Sequence, residues 1–234
     1  MRAVFKRELR AYFQGALGFV FIAVFYFFTG YYYFTYNLLG GTADFARLFA
    51  MLFSIVLFMV PILTMRLMSE DRSARTDQIL LTAPVTRAGI VWGKYLAALC
   101  VYLLAISGTL VTALVTAAFT PPDWPVYLGN VLGLVLLGGA LIAMCMFLSG
   151  LTESQVIAAL LGFAATLFLF LTDALSTAFR EPWLKSALYY LSFSKRYQPF
   201  TYGLLELSNT AFFLSIAALF LFLCSLTLEK RQAG

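Results

Sequence analysis

The sequence predicts an all-α polytopic membrane protein with six transmembrane helices. Three observations carry that reading. Of 234 residues, 62% are hydrophobic and only 12% charged, against about a quarter charged in soluble domains, and the mean hydropathy is +0.89. Six apolar runs are long enough to cross a hydrocarbon core of about 30 Å as helices. The basic residues gather at the ends of those runs, where they set orientation rather than form a nucleic-acid surface.

The runs are approximately Leu17–Tyr36, Leu48–Leu67, Ile90–Phe119, Val126–Ser149, Val156–Thr172 and Ala211–Leu228. Helices are required because lipid leaves open strand edges unsatisfied, and the alternation of a membrane barrel is absent. With a cytoplasmic N-terminus, eleven basic residues fall inside and five (Arg47, Arg180, Lys185, Lys195 and Arg196) outside. The expectation is therefore a multi-pass topology with both termini cytoplasmic. The N-terminus lacks the pattern of a cleavable signal peptide.

Residues 1–14 read as an interfacial helix. Val4, Phe5, Leu9, Tyr12 and Phe13 can share a broad face opposite Lys6, Arg7 and Arg10. Residues 174–209 are too polar for a span and too aromatic for a simple loop. Trp183, Tyr189, Tyr190, Phe193, Tyr197, Phe200 and Tyr202 favour the headgroup zone, and Pro199 and Gly203 are expected to break the segment into short pieces. The expectation is an outer re-entrant hairpin. A second aromatic cluster, Tyr31, Tyr32, Tyr33, Phe34 and Tyr36, reads as an interfacial belt closing the first span.

Several chemistries are excluded. No G-x-x-x-x-G-K-[ST] pattern is present, so the chain carries no P-loop for ATP. Histidine is absent, which removes His-based acid–base catalysis and the commonest metal ligand. No catalytic, cofactor or metal residue is expected, and an intramembrane enzyme would have little beyond Asp173 to work with. Ionisable residues are expected only at span ends, Arg66 and Lys94 among them, which argues against an ion-coupled transporter. Cys100, Cys145 and Cys224 lie in apolar runs and read as small packing residues. Gly129 and Gly133 form G-x-x-x-G, a close-packing motif, and Pro61 is positioned to kink the second span.

The polar island Ser69–Lys94 holds four of the sixteen basic residues and three of the eleven acidic ones. It is expected to sit in water beside the membrane. Asp71 and Arg75 have the favourable i,i+4 order. Ile79, Leu80 and Leu81 follow, Pro84 ends that helix, and Thr86 can N-cap the next. The pattern is a short amphipathic helix, a tight turn and a membrane helix.

The same run, with Glu70, Thr76, Leu80, Leu81, Pro84, Val85, Gly93 and Lys94, resembles the signature of ABC-2-type transporter permeases, the membrane subunits of ATP-binding cassette exporters. The resemblance covers nearly the whole chain. Within that family it is most similar to the branch of the gliding-motility and copper-maturation permeases, whose closing pattern resembles the segment from Phe193. Where the family often has Gly before the Thr and Glu two residues after it, this chain has Arg75 and Gln78. The resemblance implies a single 1–234 domain with a cytoplasmic coupling loop at 69–88. Glu70, Asp71, Arg72, Arg75, Thr76, Ile79, Leu80, Leu81 and Pro84 would meet a cytoplasmic ATP-binding subunit. The N-terminal helix, with Phe5, Arg7, Glu8 and Leu9, would share that contact. It further implies two ATP-binding subunits holding ATP and Mg, a second permease subunit, and a periplasmic auxiliary protein as a partner. The alternative within the family is a mechanotransmission complex that carries no substrate.

Overall fold

The computed structural model describes residues 1–74, 86–178 and 192–232. It is helical, with no strand among the described residues, and six helical stretches are long and apolar enough to cross a membrane. The elements are α1 (Arg2–Gln14), α2 (Ala16–Tyr33) with a π-helical turn Phe34–Leu38, α3 (Ala46–Thr64), α4 (Arg66–Ser73), α5 (Arg87–Ile106), α6 (Gly108–Phe119), α7 (Trp124–Ser149), α8 (Gln155–Ala178), α9 (Phe193–Thr201) and α10 (Leu207–Gln232).

Helix α7 is the axis. Two-thirds of its apolar window (67%) is buried, against 28% for α2 and α8 and 22% for α10. It touches α3, α5, α8, α9 and α10. Lipid tails are as apolar as leucine, so helices in a bilayer associate through close packing and hydrogen bonds rather than burial alone. The sequence of α7 supplies the close approach. Its Gly138 receives the Tyr102 ring of α5, where a Cβ would collide. Tyr102 donates to the Leu134 carbonyl at 2.7 Å and Tyr95 to the Gly139 carbonyl at 3.3 Å.

The G-x-x-x-G pair of α7 serves an element that is not one of the six spans. A Cβ on Gly129 would lie 2.8 Å from the Gly203 Cα, and one on Gly133 would lie 2.6 Å from the Phe200 Cβ. The pair therefore seats α9 and the turn that follows it. On its other side α9 reaches α3, where Tyr197 donates to the Phe49 carbonyl at 3.3 Å and its ring packs 5.0 Å from that of Phe53. Phe193, Tyr197 and Phe200 are all buried. Ser192 caps the helix through the Lys195 amide. Pro199 lies inside α9 rather than breaking it, a correction to its expected role. The helix ends at Thr201, and the turn that follows it passes through Gly203, with φ of +74°, a backbone region that favours glycine.

Other boundaries shift from the expected ones. The third span is not continuous: α5 ends at Ile106 and α6 begins at Gly108. Gly108 has no Cβ, which leaves room for the Tyr26 ring. Tyr26 Oη sits within hydrogen-bond reach of the Leu104 carbonyl and the Ser107 hydroxyl. An inserted side chain at a Ser-Gly pair is a recognised cause of a helix break. Pro61 leaves α3 helical around it, and the interruption comes at Met65. Helix α8 extends beyond Thr172 to Ala178, and α10 starts at Leu207. The aromatic belt divides, because Tyr33 is buried against Thr116 at 2.8 Å while Tyr31 and Phe34 stay exposed. Trp183, Tyr189 and Tyr190 lie outside the described residues.

Replacing Gly133 with leucine should drive α9 off α7, since overpacking a tight contact costs about 1–3 kcal/mol. The check is the thermal midpoint of the detergent-solubilised protein, and an unchanged midpoint would show that α9 does not pack there.

Candidate functional site

The sequence-predicted residues that converge in space do so at the foot of the second and third spans, where α1, α4 and α5 meet. Helix α1 carries a buried stripe of Val4, Glu8 and Tyr12, one residue per turn and so on a single face. Phe5, Leu9 and Phe13 are half-buried beside it, and Lys6, Arg7 and Arg10 are exposed. A carboxylate on the inner stripe was not legible in the hydrophobic pattern, which places Phe5 and Leu9 at the centre of the face. Its presence is explained by α5. Gly93 accepts Val4, whose Cβ would lie 3.0 Å from a Cβ built there, and the next residue, Lys94, meets Glu8.

Lys94 is only 2% exposed. It lies roughly two turns into α5. Its Nζ donates to Glu8 Oε1 at 3.0 Å, pairs with Asp71 Oδ2 at 2.6 Å and donates to the Leu67 carbonyl at 2.5 Å. Three N–H groups thus find three acceptors, one from each of α1 and α4 and one from the α4 backbone. The guanidinium of Arg7 closes the cluster, bonding Glu8 at 2.5 Å and Asp71 at 3.1 Å. Burial works against the Arg7 charge, but the Glu8 hydrogen bond and the nearby Asp71 outweigh it and raise the pKa. The four side chains, two cations and two anions, sum to zero.

Both ends of the polar island are therefore buried, Ser69 at 0% and Lys94 at 2%. The expectation that the whole island sits in water, with ionisable groups merely flanking the spans, is corrected at these two positions. The physical reason is pairing: a buried ammonium is tolerated only when matched by carboxylates and hydrogen bonds, and those partners come from α1 and α4, far away in sequence.

Helix α4 is tied on its other flank as well. The break at Met65 leaves the first amides of α4 without ordinary helical partners. Ser149, at the end of α7, accepts from the Met68 and Ser69 amides at 3.3 and 3.2 Å and donates to the Met65 carbonyl at 2.8 Å. Arg72 donates to the Gly150 carbonyl at 3.2 Å and pairs with Glu153 at 3.4 Å. Glu70 pairs with Arg66 at 2.7 Å, and Arg66 lies 5.8 Å over the Tyr12 ring. Tyr12 donates to the Leu63 carbonyl at 2.7 Å. Burial pushes the Tyr12 phenol well above its ordinary pKa, so it remains a hydrogen-bond donor. Four elements therefore hold α4 at its base: α1, α5, the end of α7 and the α7–α8 connection.

Helix α4 ends with a turn at Ala74. Arg75, Thr76, Ile79, Leu80, Leu81 and Pro84 lie outside the described residues. On the far side of that gap Thr86 caps α5 through the Gly89 amide at 3.2 Å. Among the described residues no cluster of acidic, cysteine or histidine side chains could hold a metal ion.

Lys94→Met should destabilise the fold by about 3–5 kcal/mol, because it leaves two largely buried carboxylates with Arg7 alone to match them. Adding Glu8→Gln and Asp71→Asn should recover much of that loss. Thermal melts of the single and triple variants measure both effects. A single variant as stable as the parent would remove the ammonium from its structural role.

Comparison with curated proteins gives no match. Residues 11–229 match the profile described as ABC-2 family transporter protein. That span includes all six candidate membrane helices, the α4–α5 junction and α9. The chain is a multi-pass membrane protein and belongs to the ABC-2 transporter family.

Proposed function

We propose that this chain is the permease subunit of an ATP-binding cassette exporter, driven by ATP hydrolysis in a separate cytoplasmic subunit present in two copies. The chain has no P-loop of its own, so the energy must arrive through contact. In this reading the segment running on from α4, including Arg75, Thr76, Ile79, Leu80, Leu81 and Pro84, docks on the ATPase. Glu70, Asp71 and Arg72 form its root. Helix α1 lies along the inner membrane interface and contributes Phe5, Arg7, Glu8 and Leu9. Both termini are cytoplasmic in the inner membrane. A second permease subunit completes the assembly, and ATP and Mg reside in the ATPase.

The observation that supports this reading is the clamp around α4. Asp71, on the helix leading into the loop, is joined to α1 through Arg7 and to the third span through Lys94. A push on the loop would therefore move α1, α3 and α5 together. A partner shifts a conformational equilibrium only by binding two states unequally, and a rigid root converts local contact into such a difference. Residues 174–209 form the outer hairpin in this reading, with Phe193, Tyr197, Pro199 and Phe200 as its inner half.

Ile79→Glu combined with Leu80→Glu should abolish ATPase co-purification and coupling while leaving membrane insertion intact. Unchanged co-purification of an ATP-binding subunit would defeat the coupling assignment. Separately, a cysteine at the exposed Ser73 should react with impermeant thiol reagents only from the cytoplasmic side. Labelling from outside would invert the topology.

A further inference from the structure

A pocket of about 250 Å³ lies at the opposite end of the first span from α1, between the π-helical turn and the end of α6. Asn37 lines it and is 4% exposed. The Asn37 amide is oriented by its neighbours: Nδ2 donates to the Thr42 and Asp44 carbonyls, both at 3.0 Å. Two carbonyl acceptors fix the nitrogen on that side. Oδ1 is left buried with no hydrogen-bond partner. An unmet buried carbonyl is costly and uncommon in folded proteins. The π-turn that presents Asn37 is itself a geometry found frequently at functional sites.

Following each hydrogen shows what the pocket lacks. The Thr116 hydroxyl donates to the Thr112 carbonyl at 3.0 Å, so in the 2.8 Å contact between Tyr33 and Thr116 the phenol must be the donor. Thr42 spends its hydrogen on the Tyr36 carbonyl at 3.1 Å. The hydrogens of Tyr33, Asn37, Thr42 and Thr116 are all committed, while lone pairs on Asn37 Oδ1, Tyr33 Oη and Thr42 Oγ1 remain. Of the described lining residues, Thr120 at the exposed rim is the one whose hydroxyl is left to turn. Among the described residues no charged side chain lines the pocket.

We propose that this pocket binds a protonated primary amine. A primary ammonium brings three donors and no acceptor, which complements a neutral wall of unspent lone pairs, and the exposed rim at Leu38, Phe119 and Thr120 leaves its charge open to water and headgroup phosphates rather than enclosed as that of Lys94 is. A sugar or polyol would bring acceptors that these committed side chains cannot feed. A quaternary ammonium has no N–H to give. Two sources could carry the group, an ethanolamine lipid headgroup or a soluble amine. The surroundings favour the lipid. Leu38 and Phe119 at the rim are 49% and 82% exposed, and the stacked Phe28, Tyr32 and Tyr36 rings run beside it on α2 and the π-turn, as aromatic side chains do at headgroup depth.

The test places the full-length protein in nanodiscs of mixed dioleoyl-phosphatidylethanolamine and dioleoyl-phosphatidylcholine, two lipids that differ at the headgroup nitrogen. Lipid retained after gentle extraction is counted by native mass spectrometry. Wild type should retain the ethanolamine lipid over the choline lipid by about tenfold, the ratio equivalent to one charge-assisted hydrogen bond. Tyr33→Phe, which removes one acceptor, and Ala43→Leu, which fills the pocket and keeps every hydrogen bond, should both bring the ratio near parity. A ratio insensitive to Ala43→Leu overturns the site. In choline-lipid discs, ethanolammonium should raise the thermal midpoint and tetramethylammonium should not. Stabilisation by ethanolammonium without lipid selectivity assigns the site to a soluble amine. Neither selectivity nor stabilisation means the pocket holds water only, and the proposal fails.

Discussion

The organisation of this protein depends on one constraint: an ammonium buried near the end of a membrane helix must be matched inside the fold. Lys94 meets that demand with Glu8, Asp71 and the Leu67 carbonyl. Because the matching groups come from separate elements, satisfying one charge fixes three helices relative to one another. A pair of this kind gains little net stability over an apolar alternative, since desolvation offsets much of the attraction. What it does supply is geometry. Helix α1 can lie across α5 in only one register if Glu8 is to reach Lys94, and Gly93 admits Val4 in that same register.

The constraint propagates along α4. A helix that breaks at Met65 exposes unpaired amides, and Ser149 answers them from the far end of α7. Arg72 then reaches the α7–α8 connection. The base of the molecule is consequently a polar framework built on backbone ends, while the opposite half is held by close packing with tyrosine hydrogen bonds to backbone carbonyls. There the glycines of α7 accept the turn after α9 at Gly129, the Phe200 side chain at Gly133 and the Tyr102 ring at Gly138. The division follows from the solvent: near a span end polar groups can be paired or wetted, whereas within hydrocarbon close packing is the available adhesive.

Motif glycines and lysines in membrane proteins invite functional readings, and here several first have structural ones. Gly93 and Lys94 belong to the run that resembles the family signature, and both hold α1. Gly129 and Gly133 seat α9. Placing them in the framework gives them packing and pairing roles within the chain itself.

The sequence by itself determined the six spans and the helical class, because hydropathy over about 20 residues is a local property. It also marked Ser69–Lys94 as the unusual segment, and the Thr86 cap at its end. Only the tertiary structure decided that the ends of that segment are buried, that Glu8 belongs to the inner face of α1, that the third span breaks where Tyr26 enters at Gly108, and that Pro199 sits within a helix. Each of these rests on a partner remote in the chain: Glu8 lies 86 residues from Lys94, and Tyr26 lies 81 from Ser107. Periodicity reports which face of a helix is apolar, but not which distant side chain will arrive there to pair a charge or fill the space a glycine leaves open.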